Sequence, residues 1–147
     1  MRIVVLFGTT YKTTRRVVDA LGEYFKFSYD VFNVTDISLP DVAMNYDLFI
    51  IFCPTYGDEE LQEDMENFFI HSEVNLIGKV HIVCETGNYY GYDSFEFGAK
   101  KIISHELITR GSSEYEPGLS LDTLPRISWH VLERWAKDLN KKLAYVQ

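Results

Sequence analysis

The segment Thr9-Thr10-Tyr11-Lys12-Thr13-Thr14 sets four threonine hydroxyls and one lysine directly after Gly8. Hydroxyls and backbone N–H groups at that density suit an anion, above all a phosphate, because several donors reach its oxygens at once. The segment follows the apolar run Ile3-Val4-Val5-Leu6-Phe7 and leads into residues of helical periodicity, so it reads as a loop between a buried strand and a helix. A helix start adds unpaired amides and the positive end of the helix dipole. The plainer alternative is a hydroxyl-rich cap that binds only water. A nucleotide-hydrolysing loop is excluded by spacing: it needs Gly, four residues, then Gly-Lys-Ser/Thr, whereas Lys12 lies four positions after Gly8 and follows Tyr11. Gly-x-Gly-x-x-Gly is absent as well.

Composition narrows the partners. At 147 residues, 46% apolar and 24% charged, the chain fits one compact domain, residues 1–147, with a single sizeable core. A net charge of -8 argues against nucleic acid or an anionic membrane and for docking to something basic. The first apolar run is five residues long and breaks at Gly8, too short for a secretory signal or a membrane span. Cys53 and Cys84 sit far apart in apolar, strand-like runs and read as buried thiols of a cytoplasmic protein. His71, His81, His105 and His130 lack metal-ligand spacing, and no metal site is assigned.

The elements that must position the loop follow in order. Arg2 to Phe7 is a strand covered on both faces, and Val17, Val18, Leu21 and Phe25 mark an amphipathic helix from about Thr13 to Phe25. Phe27 to Val34 alternates like a strand nearer an edge, and Pro40 marks a turn or short helix. Leu48 to Cys53 is a second buried strand ended by Pro54, followed by an acidic helix from Asp58 to Phe69. Val80 to Cys84 is a third, followed by a Gly- and Tyr-rich loop from Glu85 to Tyr92 and a helix from Phe95 to Ile108. Glu114 to Leu121 reads as a last strand restricted to an edge or bulge by Pro117-Gly118. Asp122 or Thr123 caps a final helix with Pro125 in its first turn, and Trp129 and Trp135 read as packing residues. Five strands alternating with helices specify an α/β, doubly wound, open parallel sheet with helices on both faces. Ligands of such sheets bind outside the carboxyl ends of the strands, where the three loops Gly8–Thr14, Pro54–Glu60 and Glu85–Tyr92 converge.

At this point the loops resemble a known family. Thr9-Thr10-Tyr11-Lys12-Thr13-Thr14 is similar to the flavodoxin phosphate loop, S/T-x-T-G-x-T, with Lys12 at the usual Gly. Pro54-Thr55-Tyr56-Gly57-Asp58 resembles that family's first flavin-ring loop, and Thr86-Gly87-Asn88-Tyr89-Tyr90-Gly91-Tyr92-Asp93-Ser94-Phe95 the second. Arg110 to Asp122 leaves no room for the insertion of long-chain members, so the chain resembles a short-chain flavodoxin. The resemblance implies a flavodoxin-like five-stranded parallel sheet of order 2-1-3-4-5. It also implies FMN as cofactor, bound by Thr9, Thr10, Tyr11, Lys12, Thr13, Thr14, Pro54, Thr55, Tyr56, Gly57, Asp58, Thr86, Gly87 and Asn88, with Tyr92 or Tyr90 as the outer stacking residue.

The resemblance further implies that the Gly57-Asp58 peptide reorients on one-electron reduction, which Gly permits at least steric cost. Tyr56 and Tyr92 supply aromatic faces for a flat ring. Six carboxylates fall between Asp58 and Glu66 with no base among them, which lowers the potential of a flavin that gains negative charge and steers its edge toward a basic partner. The same acids also suit a solvated helix start. The leading functional expectation is a monomeric, low-potential, one-electron carrier working between a basic-faced flavodoxin/ferredoxin-NADP reductase and an acceptor oxidoreductase, with no bond chemistry of its own. The alternatives are a flavodoxin-like activator of a metalloenzyme such as ribonucleotide reductase, and a flavin-free module that keeps the fold. Lys12 at the usual Gly is the loop's weak point, because a left-handed conformation costs a non-Gly residue about 1 kcal/mol or more; either the loop bends differently or the Lys12 charge offsets the strain.

Overall fold

The computed structural model describes residues 1–55, 61–70, 72–88 and 98–144. The described elements run β1 (Ile3–Phe7), α1 (Thr13–Tyr24), β2 (Asp30–Asn33), α2 (Leu39–Asn45), β3 (Leu48–Pro54), α3 (Glu63–Phe69), β4 (Val80–Gly87), α4 (Ala99–Thr109), β5 (Ser113–Glu114), β6 (Ser120–Asp122) and α5 (Trp129–Ala144). All strand pairs are parallel, in the order β2-β1-β3-β4-β5, with β6 also on β4. The expected doubly wound sheet of order 2-1-3-4-5 is therefore present, its fifth strand divided in two.

The unbroken apolar runs have a direct cause. Strand side chains alternate between faces, so a strand covered on both sides needs apolar residues at every position. Ile3, Val5, Phe7, Leu48, Ile50, Phe52, Ile82 and Cys84 pack with α1 and α5 through Val17, Leu21, Leu132, Ala136 and Leu139. Val4, Leu6, Phe49, Ile51, Cys53 and Val83 pack on the other face with Val42, Met65, Phe68, Ile103 and Leu107 from α2, α3 and α4. Both cysteines are buried and free, and burial pushes each thiol up to about 12, which leaves them unreactive at neutral pH. No described helix is long and apolar enough to cross a membrane.

Several boundaries differ from the sequence reading. β2 covers Asp30–Asn33 rather than Phe27 to Val34, because Phe27 and Tyr29 turn into an aromatic cluster with Phe25 at centroid distances of 4.4 and 5.3 Å. Trp135 joins that cluster and also meets Phe52 edge-on, so its packing role holds, whereas Trp129 lies at the surface beneath the Arg16 guanidinium. α2 includes Pro40 in its first turn, with Ser38 Oγ accepting from Asp41 N. α3 begins at Glu63: Leu61 and Gln62 precede it, and Asp58 to Glu60 lie outside the described residues. β4 runs on through Glu85 and Thr86 to Gly87, so those three residues belong to a strand and not to a loop. α4 starts at Ala99, and the expected start at Phe95 lies outside the described residues.

The last strand and last helix need a physical correction. The stretch expected as one strand, Glu114 to Leu121, is split at Pro117-Gly118 into β5 and β6. Tyr115 N donates to His81 O and Glu85 N to Leu119 O, both at 2.8 Å, so β4 keeps backbone partners on either side of the break. α5 begins at Trp129, not beside Asp122 or Thr123. Thr123 N donates to Gly87 O at 2.8 Å and thereby prolongs the β6–β4 pairing, and the Leu124–Pro125 peptide is cis. Pro125 thus precedes the helix and is not in its first turn.

Candidate cofactor site

β1, β3 and β4 end side by side at Phe7, Pro54 and Gly87, which brings the three expected loops to one edge of the sheet. Hydrogen bonds tie them together there. Gly8 N donates to Phe52 O at 3.3 Å, Thr55 N to Thr86 O at 2.8 Å, and Thr14 Oγ1 shares a 3.0 Å bond with Thr86 Oγ1. Thr14 and Thr86 are buried, and Thr14 therefore links the hydroxyl-rich loop to the end of β4. Residues 72 positions apart in sequence meet through this one contact.

Within the first loop, Thr9 and Thr13 are half-buried, Thr10 and Lys12 are exposed, and the Tyr11 ring stands in solvent at 82% exposure. Lys12, at the place where the resembling motif has Gly, adopts φ 66°, ψ -5°, the left-handed conformation. The loop consequently keeps its bend and bears the strain of a side chain there, about 1 kcal/mol. The Lys12 carbonyl accepts from Arg16 N and opens α1.

The start of α1 differs from those of α2 and α3 and shares with α4 an N-cap residue that makes no side-chain bond. Its N-cap residue, Lys12, makes no side-chain capping bond, and the first turn contains no acidic residue. By contrast, Ser38 caps α2, and Gln62 Oε1 caps α3 by accepting from Met65 N at 2.9 Å. In α4, Thr55 Oγ1 accepts from Ala99 N and Glu85 Oε1 from Lys100 N. A twelve-residue helix with no N-cap side-chain bond, starting among hydroxyls with Lys12, Arg15 and Arg16 exposed around it, is a donor set that fits a phosphate dianion. The FMN phosphate therefore suits the residues present.

In the second and third loops, Pro54 and Thr55 are half-buried at the end of β3, Thr86 and Gly87 complete β4, and Asn88 is exposed beyond it. Tyr56, Gly57, Asp58, Tyr90 and Tyr92, the expected ring contacts, lie outside the described residues. Of the acidic stretch, Glu63, Asp64 and Glu66 occupy the first turn of α3, where they meet the positive end of that helix.

Three residues, Gly8, Glu85 and Gly98, have supporting roles that the sequence reading did not assign. Gly8 leaves room for the α3 cap, since a Cβ at that position would lie 2.4 Å from Gln62 Oε1. Glu85 is fully buried, and Gly98 makes space for it, with a Cβ there falling 2.4 Å from Glu85 Oε1. A carboxylate directly after the apolar run Val80 to Cys84 reads as the end of the strand, because nothing local indicates partners for it. Its position between Thr55 and the distant Gly98-Ala99 helix start is visible only in three dimensions. Among the described residues no group of three or more His, Cys, Asp and Glu could hold a metal ion.

A charge test of the phosphate loop follows from Lys12. Lys12→Met is expected to weaken FMN binding at low ionic strength by about threefold and to reduce the slope of affinity against salt, because an exposed charge contributes a modest, screened attraction. Fluorescence titrations with FMN at a series of salt concentrations check this; an identical slope in the variant rules out a role for the charge.

The family model for flavodoxin matches residues 5–126. The flavodoxin of Maridesulfovibrio salexigens is 28% identical over 138 residues, 86% of this chain and 92% of that protein. A flavodoxin structure from Streptococcus pneumoniae TIGR4 superposes with a TM-score of 0.80 at 22% identity, covering 100% of both chains. The structure of Fusobacterium nucleatum flavodoxin bound to flavin mononucleotide does so with a TM-score of 0.77 at 19% identity, covering 98% of this chain and 97% of that one. At these identities the structural likeness is one of fold.

Proposed function

The chain belongs to the flavodoxin family, and from that premise we propose that it binds FMN noncovalently and carries electrons one at a time between redox proteins. The observation that supports this most is the start of α1, which lacks an N-cap side-chain bond, with the Thr14–Thr86 bond joining it to the end of β4. Backbone amides and threonine hydroxyls there hold the phosphate, and the edge formed by Pro54, Thr55, Thr86 and Gly87 leads to the ring. FMN supplies an isoalloxazine ring that takes up and releases single electrons.

The protein's own residues bind, orient and tune. Tyr56 and Tyr92 or Tyr90 cover the ring faces, and Asn88 meets its polar edge. Glu63, Asp64 and Glu66 at the start of α3 repel added negative charge and present an acidic rim. That rim docks to the basic face of a reductase on one side of the cycle and to an acceptor oxidoreductase on the other. The charge steers encounter more than it strengthens the complex, so electron-transfer rates fall as salt rises.

Titration with FMN tests the reading directly. Quenching of flavin fluorescence and a yellow, stoichiometric complex are expected, and Tyr56→Ala is expected to weaken binding by about tenfold through lost stacking. A colourless protein that leaves FMN fluorescence unchanged would overturn the carrier function. Tight binding with an unaltered affinity and spectrum in Tyr56→Ala would remove only that residue from the site.

A further inference from the structure

Glu85 is fully buried at the end of β4, yet its carboxylate faces no cationic side chain among the described residues. Three donors converge on it instead. Thr55 Oγ1 donates to Oε1 at 3.0 Å, Lys100 N donates to Oε1 at 3.0 Å, and Ser120 Oγ donates to Oε2 at 2.6 Å. They come from the first ring loop, the start of α4 and β6. Lys100 directs its own Nζ away, to Gly118 O at 3.2 Å.

Building on the FMN-binding reading above, we propose that Glu85 is a positioning residue of the flavin site, whose buried charge also disfavours the fully reduced, electron-rich ring. The positioning follows from the bonds. Because the carboxylate only accepts, it fixes the direction of the Thr55 hydroxyl, whose oxygen in turn accepts from Ala99 N at 3.2 Å. Thr55 is thereby held at its side chain by Glu85 and Ala99 and at its backbone by Thr86 O. Two ring loops and α4 share one anchor.

The charge has a separate consequence. Hydroxyls, an amide and the positive end of α4 satisfy the carboxylate's hydrogen bonds, but dipoles do not cancel its net charge at a distance. Beside Thr55 and Thr86, in a buried and weakly screened setting, that charge acts little on a neutral oxidised ring and most on a ring that has gained negative charge. Gly98 belongs to the same arrangement, since any larger residue would displace the carboxylate.

The test separates shape from charge in the full chain loaded with FMN. Glu85→Gln keeps the shape and removes the charge; Glu85→Asp keeps the charge and shortens the reach. For Glu85→Gln, affinity for oxidised FMN is expected to stay within about threefold, while the equilibrium of the second one-electron reduction shifts about tenfold toward the fully reduced flavin, a rise of about 59 mV in the lower potential. For Glu85→Asp, the lower potential is expected to stay near that of the unaltered protein, while the thermal midpoint of the apoprotein falls. An FMN-loaded Glu85→Gln with an unmoved lower potential overturns the proposal, as does an equal shift in both variants. Failure of the unaltered protein to take up FMN would instead remove the carrier reading, and this proposal with it. Should Glu85→Gln not fold, Glu85→Asp decides: it keeps the charge, so an unmoved lower potential is expected, and a rise of about 59 mV counts against the role of the charge.

Discussion

Gly118→Ala is expected to destabilise the protein by about 3 kcal/mol or more, measured as the loss of unfolding free energy in urea. A Cβ at this position would lie 1.6 Å from Val83 O, 2.4 Å from Val83 C and 3.1 Å from Cys84 N. All three are backbone atoms of β4, which pairs with β3 on one side and with β5 and β6 on the other. No side chain can rotate away to make room. Relief requires the segment before β6 to lift off β4, which breaks the bond from Glu85 N to Leu119 O and displaces Ser120 from the Glu85 carboxylate. Gly78→Ala provides the contrast. Gly78 has φ 88°, and a methyl added there would meet nothing within 4 Å. Only backbone strain of about 1 kcal/mol is expected from that substitution. Equal, small losses in both variants would show that the segment from Pro117 to Leu119 is free to shift.

Acidification should cost stability through His81. This residue pairs with Phe49 in the centre of the sheet and is fully buried; Nδ1 shares a 2.6 Å bond with Ser112 Oγ, and Nε2 has no partner among the described residues. A proton added to that ring would be desolvated, and burial lowers its pKa from 6.5 to about 4. The unfolded chain therefore binds more protons than the folded one between those two values, and stability rises with pH across that window. The contribution is fully present above about 6.5 and is lost as the pH falls toward 4, by about 3 kcal/mol in all. Urea unfolding of the unaltered protein and of His81→Phe from about pH 7 to about pH 4.5 checks this. The variant is expected to lack that part of the slope, and parallel curves would place the acid sensitivity elsewhere.

How much of this was legible depended on whether the cause was local. Central strands were readable because burial on both faces demands apolar residues at every position, as in Ile3 to Phe7 and Leu48 to Cys53. α1 was readable from its single apolar stripe, and the expected end at Phe25 lies one residue beyond the observed last turn. The phosphate loop was legible because hydroxyls and a helix start are a local combination, and even its weak point at Lys12 was visible as a missing Gly. What failed depended on partners far away in sequence. β4 continues past Cys84 through a charged residue because Thr55, Lys100 and Ser120 supply three donors to it. α5 starts late because Thr123 still follows β4 through Gly87.

The sequence by itself determined the fold class, the three loops that meet at one sheet edge, and the family, because alternation, helical stripes and loop motifs are written in neighbouring residues. Only the tertiary structure decided that Lys12 takes the left-handed bend, that Ser38 and Gln62 cap α2 and α3 where Lys12 makes no such bond for α1, and that Glu85 is buried among Thr55, Lys100 and Ser120. The physical reason is the same in each case. A backbone bend, a helix cap and a buried carboxylate are each defined by what surrounds them in space, and the donors to Glu85 come from residues 15 to 35 positions away.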